Sequence, residues 1–274
     1  MSAINIDGKK IAQDIESELR VKVSKMSKKP RLSVVQVGDD PASTSYIKAK
    51  SNAAERVGIQ LTHHHLPTET TESELSALVS DLNSSENGII VQLPLPKGLE
   101  GVLSKIDPAK DVDGFHPFNL GKLVQGKSGM RPCTPAGIVE LLYRTGNNPA
   151  GKNVVIVGRS TIVGKPLSLL LSQKGVDATV TLCHSRTSDL QGFCKKADVL
   201  IVAVGHPDTI TGDMIKPSAV VIDVGVNRTD SGLVGDVSSD VKNVAGQLTP
   251  VPGGVGPMTV AMLMSNTVDA ASED

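Results

Sequence analysis

NVVIVGRSTIVGKPLSLLL, residues 153–171, decides the fold. A β-branched run ends at Gly158, a glycine-punctuated turn follows, and Leu167, Leu170 and Leu171 continue at helical spacing. Strand, turn and helix in that order aim backbone N–H groups and the positive end of a helix dipole at one spot, where a phosphate would bind. A P-loop has four residues between its glycines and Ser or Thr after its lysine, whereas Gly158 and Gly164 enclose five and Pro166 follows Lys165. The G-x-G-x-x-G fingerprint fits better, with Ser160 at its second glycine and one extra residue before Gly164. That leaves a variant dinucleotide turn, with a merely structural βα turn as the alternative.

Outward from this turn the same pattern repeats. ATVTL (178–182), DVLIVAV (198–204) and AVVID (219–223) are further β-branched runs, which predicts a doubly wound parallel sheet. Upstream, residues 8–27 place Ile11, Ile15, Leu19, Val23 and Met26 at helical spacing before the β-rich RLSVVQV (31–37). Asp40 and Pro41 then start a helix that Gly58 should end. IQLTHHH (59–65) and GIIVQ (88–92) bracket a helix whose Thr71 and Glu74 form a capping box. The segment 93–135 is loop-rich, and PMTVAMLMSNTVDA from 257 is a terminal helix. The class is α/β, with two α/β units in succession.

Composition narrows the partners. The 274 residues are 39% hydrophobic and 21% charged, enough apolar content to bury a core. A net charge of −1 and a pI near 6.6 give no basic face for nucleic acid or an anionic membrane, so small molecules are the expected partners. Cys133, Cys183 and Cys194 form no C-x-x-C pair and suit a reducing compartment. No apolar run approaches a membrane span and the N-terminus has no signal core, so a cytoplasmic protein is expected.

If the glycine turn holds a nicotinamide dinucleotide, NAD would call for a carboxylate at the end of the second strand, and TLCHSRT has none. Arg159, Ser185 and Arg186 instead offer donors to a 2′-phosphate, which favours NADP. Standing alone, Arg159 reads equally well as a solvated loop cation.

SYIKAK (45–50) sets Tyr46 one helical turn ahead of Lys50, on a stripe continued by Ala53 and Val57. If that stripe faces inward, Lys50 is desolvated, which disfavours its charged form and suits it to proton transfer. As a bare pair, a snorkelling lysine and a core tyrosine fit better. Short-chain dehydrogenases also use Y-x-x-x-K, but downstream of the dinucleotide turn rather than far upstream of it.

Taken in order along the chain, SYIKAK, VQLPLP (91–96), KDVDGFHP (110–117), RPCTPAG (131–137), GRSTIVGKP (158–166) and TPVPGGVGPMT (249–259) resemble the bifunctional methylenetetrahydrofolate dehydrogenase/methenyltetrahydrofolate cyclohydrolase family. The resemblance implies an N-terminal catalytic domain over 1–142 with a returning helix at 256–274, a Rossmann-type NADP-binding domain over 143–255, a folate cleft between them and a homodimer. By motif, it implies that Lys50 transfers the proton of the hydrolytic step, that Tyr46 packs on the folate ring and that Gln92 positions the lysine. Asp113 would bind the pterin amino edge, and Pro252, Gly253 and Gly254 would border the substrate. Gly158, Arg159, Ser160, Gly164, Ser185 and Val226 would contact NADP. Without the resemblance, Asp113 is as readily a turn-capping residue before Gly114, and Gln92 an ordinary buried amide.

The implied activity oxidises 5,10-methylenetetrahydrofolate with NADP and hydrolyses the methenyl product to 10-formyltetrahydrofolate. An NADP dehydrogenase of a related small substrate without the hydrolytic step is the alternative, and a non-catalytic NADP sensor is a third. No metal site is expected: His63 and His65 share a strand face without a third ligand, and DVDG (111–114) lacks the remainder of a calcium loop.

Overall fold

The computed structural model describes residues 2–230 and 232–272. The chain runs through β1 (Ile4–Asn5), α1 (Gly8–Val23), β2 (Arg31–Val37), α2 (Pro41–Val57), β3 (Gln60–Leu66), α3 (Glu72–Ser85), β4 (Gly88–Val91), α4 (Pro117–Val124) and α5 (Cys133–Arg144). It continues with β5 (Asn153–Val157), α6 (Gly164–Ser172), β6 (Thr179–Cys183), α7 (Leu190–Cys194), β7 (Val199–Val202) and β8 (Val220–Asp223). The hairpin β9 (Asn227–Thr229) and β10 (Gly232–Val234), then β11 (Gln247–Leu248) and α8 (Val255–Ser272), complete it. These elements form two compact units, the first Gln13–Cys133 with Val260–Asp274, the second Met1–Ala12 with Thr134–Thr259.

The first unit is built on three parallel strands in the order β3-β2-β4. Central β2 is buried after its first residue, whereas edge strand β3 alternates between exposed and half-buried residues, as position in a sheet requires. His63 on that edge pairs with Gln36 at 3.0 Å, and His65 with the Gly38 carbonyl at 3.1 Å. Helix α2 starts where its sequence says it must: Asp40 accepts from the Ser43 N–H at 2.7 Å, Pro41 follows, and Gly58 in the left-handed region stops the helix. Thr71 and Glu74 close a capping box at the start of α3. Buried Glu16 takes both arms of Arg56, at 2.6 and 2.9 Å, and so ties α1 to α2. The later part of α8 belongs to this unit, with Leu263, Met264 and Val268 buried and Lys22 pairing with Asp269 at 2.7 Å on the surface.

The second unit is a six-stranded parallel sheet in the order β1-β11-β8-β7-β5-β6. β7 is buried throughout, and β5 and β8 after their first residues, the mark of strands covered on both faces, with Val155, Val157, Leu200, Val202 and Val221 in one core cluster. β1 pairs with β11 through Ile4 and Gln247, so residues 1–12 group with this unit rather than with the 1–142 segment of the sequence division. Two residues of strand are too few for a periodicity signal. The 93–135 stretch is less irregular than expected: it holds a short 3-10 turn at Glu100–Lys105, α4 and the start of α5. Helix α4 was not expected because it is only 8 residues long, with Pro117 at its start and Gly121 inside it, too short for a periodic signal.

Candidate active site

In the first unit, the stripe containing SYIKAK turns inward from Lys50 onward. Lys50 is 8% exposed, while Ala53 and Val57 are fully enclosed. Tyr46 departs from the stripe at 43% exposure, leaving its ring open to solvent one turn ahead of the lysine. The Lys50 ammonium donates to Gln92 Oε1 at 2.8 Å. Gln92 follows β4 directly, its N–H held by the Val35 carbonyl at 2.8 Å, and its own amide donates to the Leu93 carbonyl at 2.8 Å. That second bond fixes which end of the amide faces the lysine. Ser43 Oγ, in the first turn of α2, also reaches the Leu93 carbonyl at 3.5 Å, so the VQLPLP segment is stitched to the helix that carries Lys50.

The third member of the group is Asp113. Enclosure of its carboxyl holds its pKa above the ordinary carboxylate value, the charge of Lys50 pulls against this, and the neighbouring Asp111 adds to it. The residue as a whole keeps partial exposure. Lys50, Gln92 and Asp113 thus share one electrostatic environment: a cation, a fixed amide dipole and a carboxylate biased against ionising.

Sequence reasoning missed the residues that hold Asp113. Asp111 is buried and accepts from the N–H groups of Phe115 at 3.3 Å and His116 at 2.8 Å, and from Asn119 Nδ2 at 2.9 Å. It also forms a parallel bridge with Ile89, which carries the DVDG segment alongside β4. Asn266 in α8 donates to the carbonyls of Val112 at 2.8 Å and Arg131 at 3.0 Å, and the Cys133 thiol donates to the Val112 carbonyl at 3.2 Å. The first acid of D-x-D-G was a legible signal for a loop-closing side chain. Asn266 lies far along the chain, with nothing local to announce it. Burial pushes the Cys133 thiol well up, so it is a packing residue and a weak donor rather than a nucleophile.

In the second unit the glycine turn has the crowding its residue types demand. Gly158 adopts a φ of +125°, and a Cβ there would collide with the Ala203 carbonyl. A Cβ on Gly164 would collide with the Gly158 carbonyl, so Gly164 lets α6 start against the turn. Ser160 Oγ accepts from the N–H groups of Val163 at 3.1 Å and Gly164 at 3.4 Å, which shapes the turn and leaves the hydroxyl proton available. Arg159, Ser185, Arg186 and Val226 are exposed around the carboxyl ends of β5, β6 and β8. A dinucleotide fits such a cradle: a tight turn that the two glycines permit, cationic side chains at the rim, and no acidic residue in the His184-Ser185-Arg186 segment after β6. Pro252, Gly253 and Gly254 belong to this unit as well, in a separate turn whose Gly253 carbonyl accepts from the Lys9 N–H at 2.9 Å.

A glycine turn at the carboxyl edge of a doubly wound sheet, in one chain with a unit that buries a lysine against an amide, marks a nucleotide-dependent enzyme. Comparison with known proteins narrows the class. The catalytic domain of tetrahydrofolate dehydrogenase/cyclohydrolase matches residues 6–113, and the NAD(P)-binding domain of the same enzymes matches residues 132–274. The chain is 53% identical over 276 residues to the bifunctional protein FolD of Desulfovibrio desulfuricans, covering 97% of each. Its fold is similar, at a TM-score of 0.95 and 43% identity over 99% of both chains, to the bifunctional methylenetetrahydrofolate dehydrogenase/cyclohydrolase of Campylobacter jejuni. A TM-score of 0.93 at 37% identity, over 100% of this chain and 98% of the other, relates it to the Trypanosoma brucei dehydrogenase-cyclohydrolase complexed with NADP and inhibitor. The chain belongs to the tetrahydrofolate dehydrogenase/cyclohydrolase family.

Replacing Asn266 by alanine removes an amide donor from two loop carbonyls and leaves the Val112 carbonyl only the Cys133 thiol. Asn266→Ala should lower stability by about 1–3 kcal/mol in denaturant unfolding. An unchanged midpoint would mean that the Asp113 loop holds its place without α8.

Proposed function

We propose that this protein oxidises 5,10-methylenetetrahydrofolate to the methenyl form with NADP and then hydrolyses it to 10-formyltetrahydrofolate. The observation that carries the assignment is the buried ammonium of Lys50 bonded to Gln92 within the field of Asp113, in a chain of this family. Nothing favours the dehydrogenase-only alternative, because a lysine enclosed in this way serves a proton transfer that oxidation alone does not need.

NADP supplies the hydride acceptor. Loss of hydride from the methylene carbon leaves a cation delocalised over two nitrogens, so this step calls for alignment rather than a strong base. Hydrolysis is where the chain's own residues act. Water adds to the methenyl carbon, one proton must leave that water, and another must reach the departing ring nitrogen. The Lys50 amine moves these protons, and Gln92 Oε1 holds it on target through a single hydrogen bond. Asp113 accepts from the amino edge of the pterin, and Tyr46 offers its exposed ring face to the heterocycle. Arg159, Ser185 and Arg186 take the 2′-phosphate, while the turn from Gly158 through Ser160 to Gly164 lies against the pyrophosphate and Val226 bounds the cofactor.

Lys50→Met should lower methenyl hydrolysis by about 100-fold or more while NADP reduction stays within several-fold, the range for removal of a general acid-base group. Hydrolysis at the wild-type rate would sink the role given to Lys50. Arg159→Ala should raise the NADP concentration for half-maximal rate by roughly 10- to 100-fold, the loss of one or two charge-assisted hydrogen bonds, with NAD use nearly unchanged. Equal losses with both dinucleotides would refute the 2′-phosphate assignment.

A homodimer and a cytoplasmic setting complete the proposal. The first is supported by the outer edge of β3, which among the described residues pairs only with β2. The second is supported by three unpaired buried cysteines and by the absence, among the described residues, of any helix long and apolar enough to cross a membrane. Sedimentation velocity on the full chain should give the mass of two copies, and a monomer at micromolar concentration would contradict the dimer.

A further inference from the structure

The proposed chemistry leaves two buried carboxylates of the second unit without a task. Asp236 is fully enclosed and gathers four donors. The N–H groups of Val204 and Gly205 reach its Oδ2 at 2.7 and 2.9 Å, while the His206 N–H and Asn227 Nδ2 each reach Oδ1 at 2.9 Å. Three consecutive backbone N–H groups turned toward one anion make a nest, an arrangement that fixes the local backbone. Asp223, the last residue of β8, accepts from the N–H groups of Gly225 at 3.0 Å, Asp236 at 2.9 Å and Val237 at 3.1 Å. The two acids interlock: Asp223 grips the backbone of Asp236, and Asp236 grips the loop after β7.

What these acids hold lies at the edge of the sheet that carries the glycine turn. Gly158 packs on the Ala203 carbonyl, the Ala203 N–H bonds to Val157, and the Val224 N–H bonds to Val202, each at 2.8 Å for the two hydrogen bonds. Residues 203–206 and 224–227 are therefore the strand ends next in line beyond Gly158. Val226 is exposed between Gly225 and Asn227, both of which donate to the pair.

We infer that Asp223 and Asp236 are positioning residues for the cofactor, fixing through gathered N–H groups the two loops on which the dinucleotide lies, without touching it themselves. This rests on the assignment of Gly158, Arg159, Ser185 and Val226 to NADP. Ordinary fold glue would behave differently: weakening it lowers stability and both activities together, whereas weakening a positioning pair separates NADP binding from methenyl hydrolysis, which needs no nicotinamide.

The test uses the full chain with two substitutions of different severity. Asn227→Ala removes one donor to Asp236, and Asp223→Asn keeps the side-chain shape while placing an NH2 opposite the Val237 N–H. NADP affinity is measured by titration calorimetry, and hydrolysis of methenyltetrahydrofolate is measured without NADP, with Arg159→Ala carried alongside. In each clamp variant the dissociation constant for NADP should rise by about tenfold while hydrolysis stays within about twofold. Unchanged NADP affinity in both variants would overturn the inference, and so would hydrolysis falling in step with affinity. If Arg159→Ala also leaves NADP affinity intact, it is the placement of the cofactor that fails. If Arg159→Ala weakens NADP and the two clamp variants do not, the clamp alone fails.

Discussion

An ammonium withdrawn from water costs several kcal/mol unless its surroundings replace the lost solvation, and the role proposed for Lys50 depends on how it meets that demand. Its surroundings supply one neutral acceptor, Gln92, and a carboxylate, Asp113, that exerts its field on the amine while burial works against its own ionisation. A close, fully ionised salt bridge would hold the proton too firmly for transfer, because it stabilises the charged amine alone. An amide acceptor orients the nitrogen without adding a negative charge. Elsewhere in the same unit the pairing is of the other kind: exposed Arg56 closes a charged pair on buried Glu16.

The same constraint accounts for the effort spent on neighbouring backbone. Gln92 is useful only if its oxygen faces Lys50, and the Leu93 and Val35 carbonyls ensure that it does. The role proposed for Asp113 needs a stiff loop, and Asp111, Asn119, Cys133 and Asn266 provide the stiffness from four places in the sequence. Gln92 and Asp113 both sit at or beside the carboxyl end of short parallel strands, where a loop can be aimed by a rigid sheet.

Much of this was legible because the signals were local. The glycine turn, the Asp40-Pro41 start, the Gly58 stop and the Thr71–Glu74 box are short-range devices, and each element formed where its residues specified. The Lys50 stripe was legible from Ala53 and Val57, though Tyr46 leaves it. Illegible features were those in which one partner lies far away in sequence. β1 is two residues long and exists only because β11 is there to receive it. Asn266 and the Asp223–Asp236 pair act through backbone groups, which every residue has, so composition and spacing carry no trace of them. Helix α4 hides for another reason: 8 residues with Gly121 among them are too few for a period to show.

Asp223 shows what the fold gives up for geometry. Burial, outweighing its three backbone hydrogen bonds and reinforced by Asp236, pushes this carboxyl up to about 6. For an acid whose folded pKa lies above its unfolded one, the associated stability is present below the ordinary carboxylate range and is lost as pH rises through about 6. A shift of this size corresponds to something on the order of 3 kcal/mol, so at neutral pH the ionised group works against folding. A neutral amide of the same shape would escape that penalty. It could not, however, accept from Gly225, Asp236 and Val237 at once with both of its ends, since only one end of an amide accepts. A carboxylate is the side chain of this size that presents acceptors in both directions, and the loop carrying Val226 is held at the expense of stability at the pH where a phosphate-bearing cofactor would be bound.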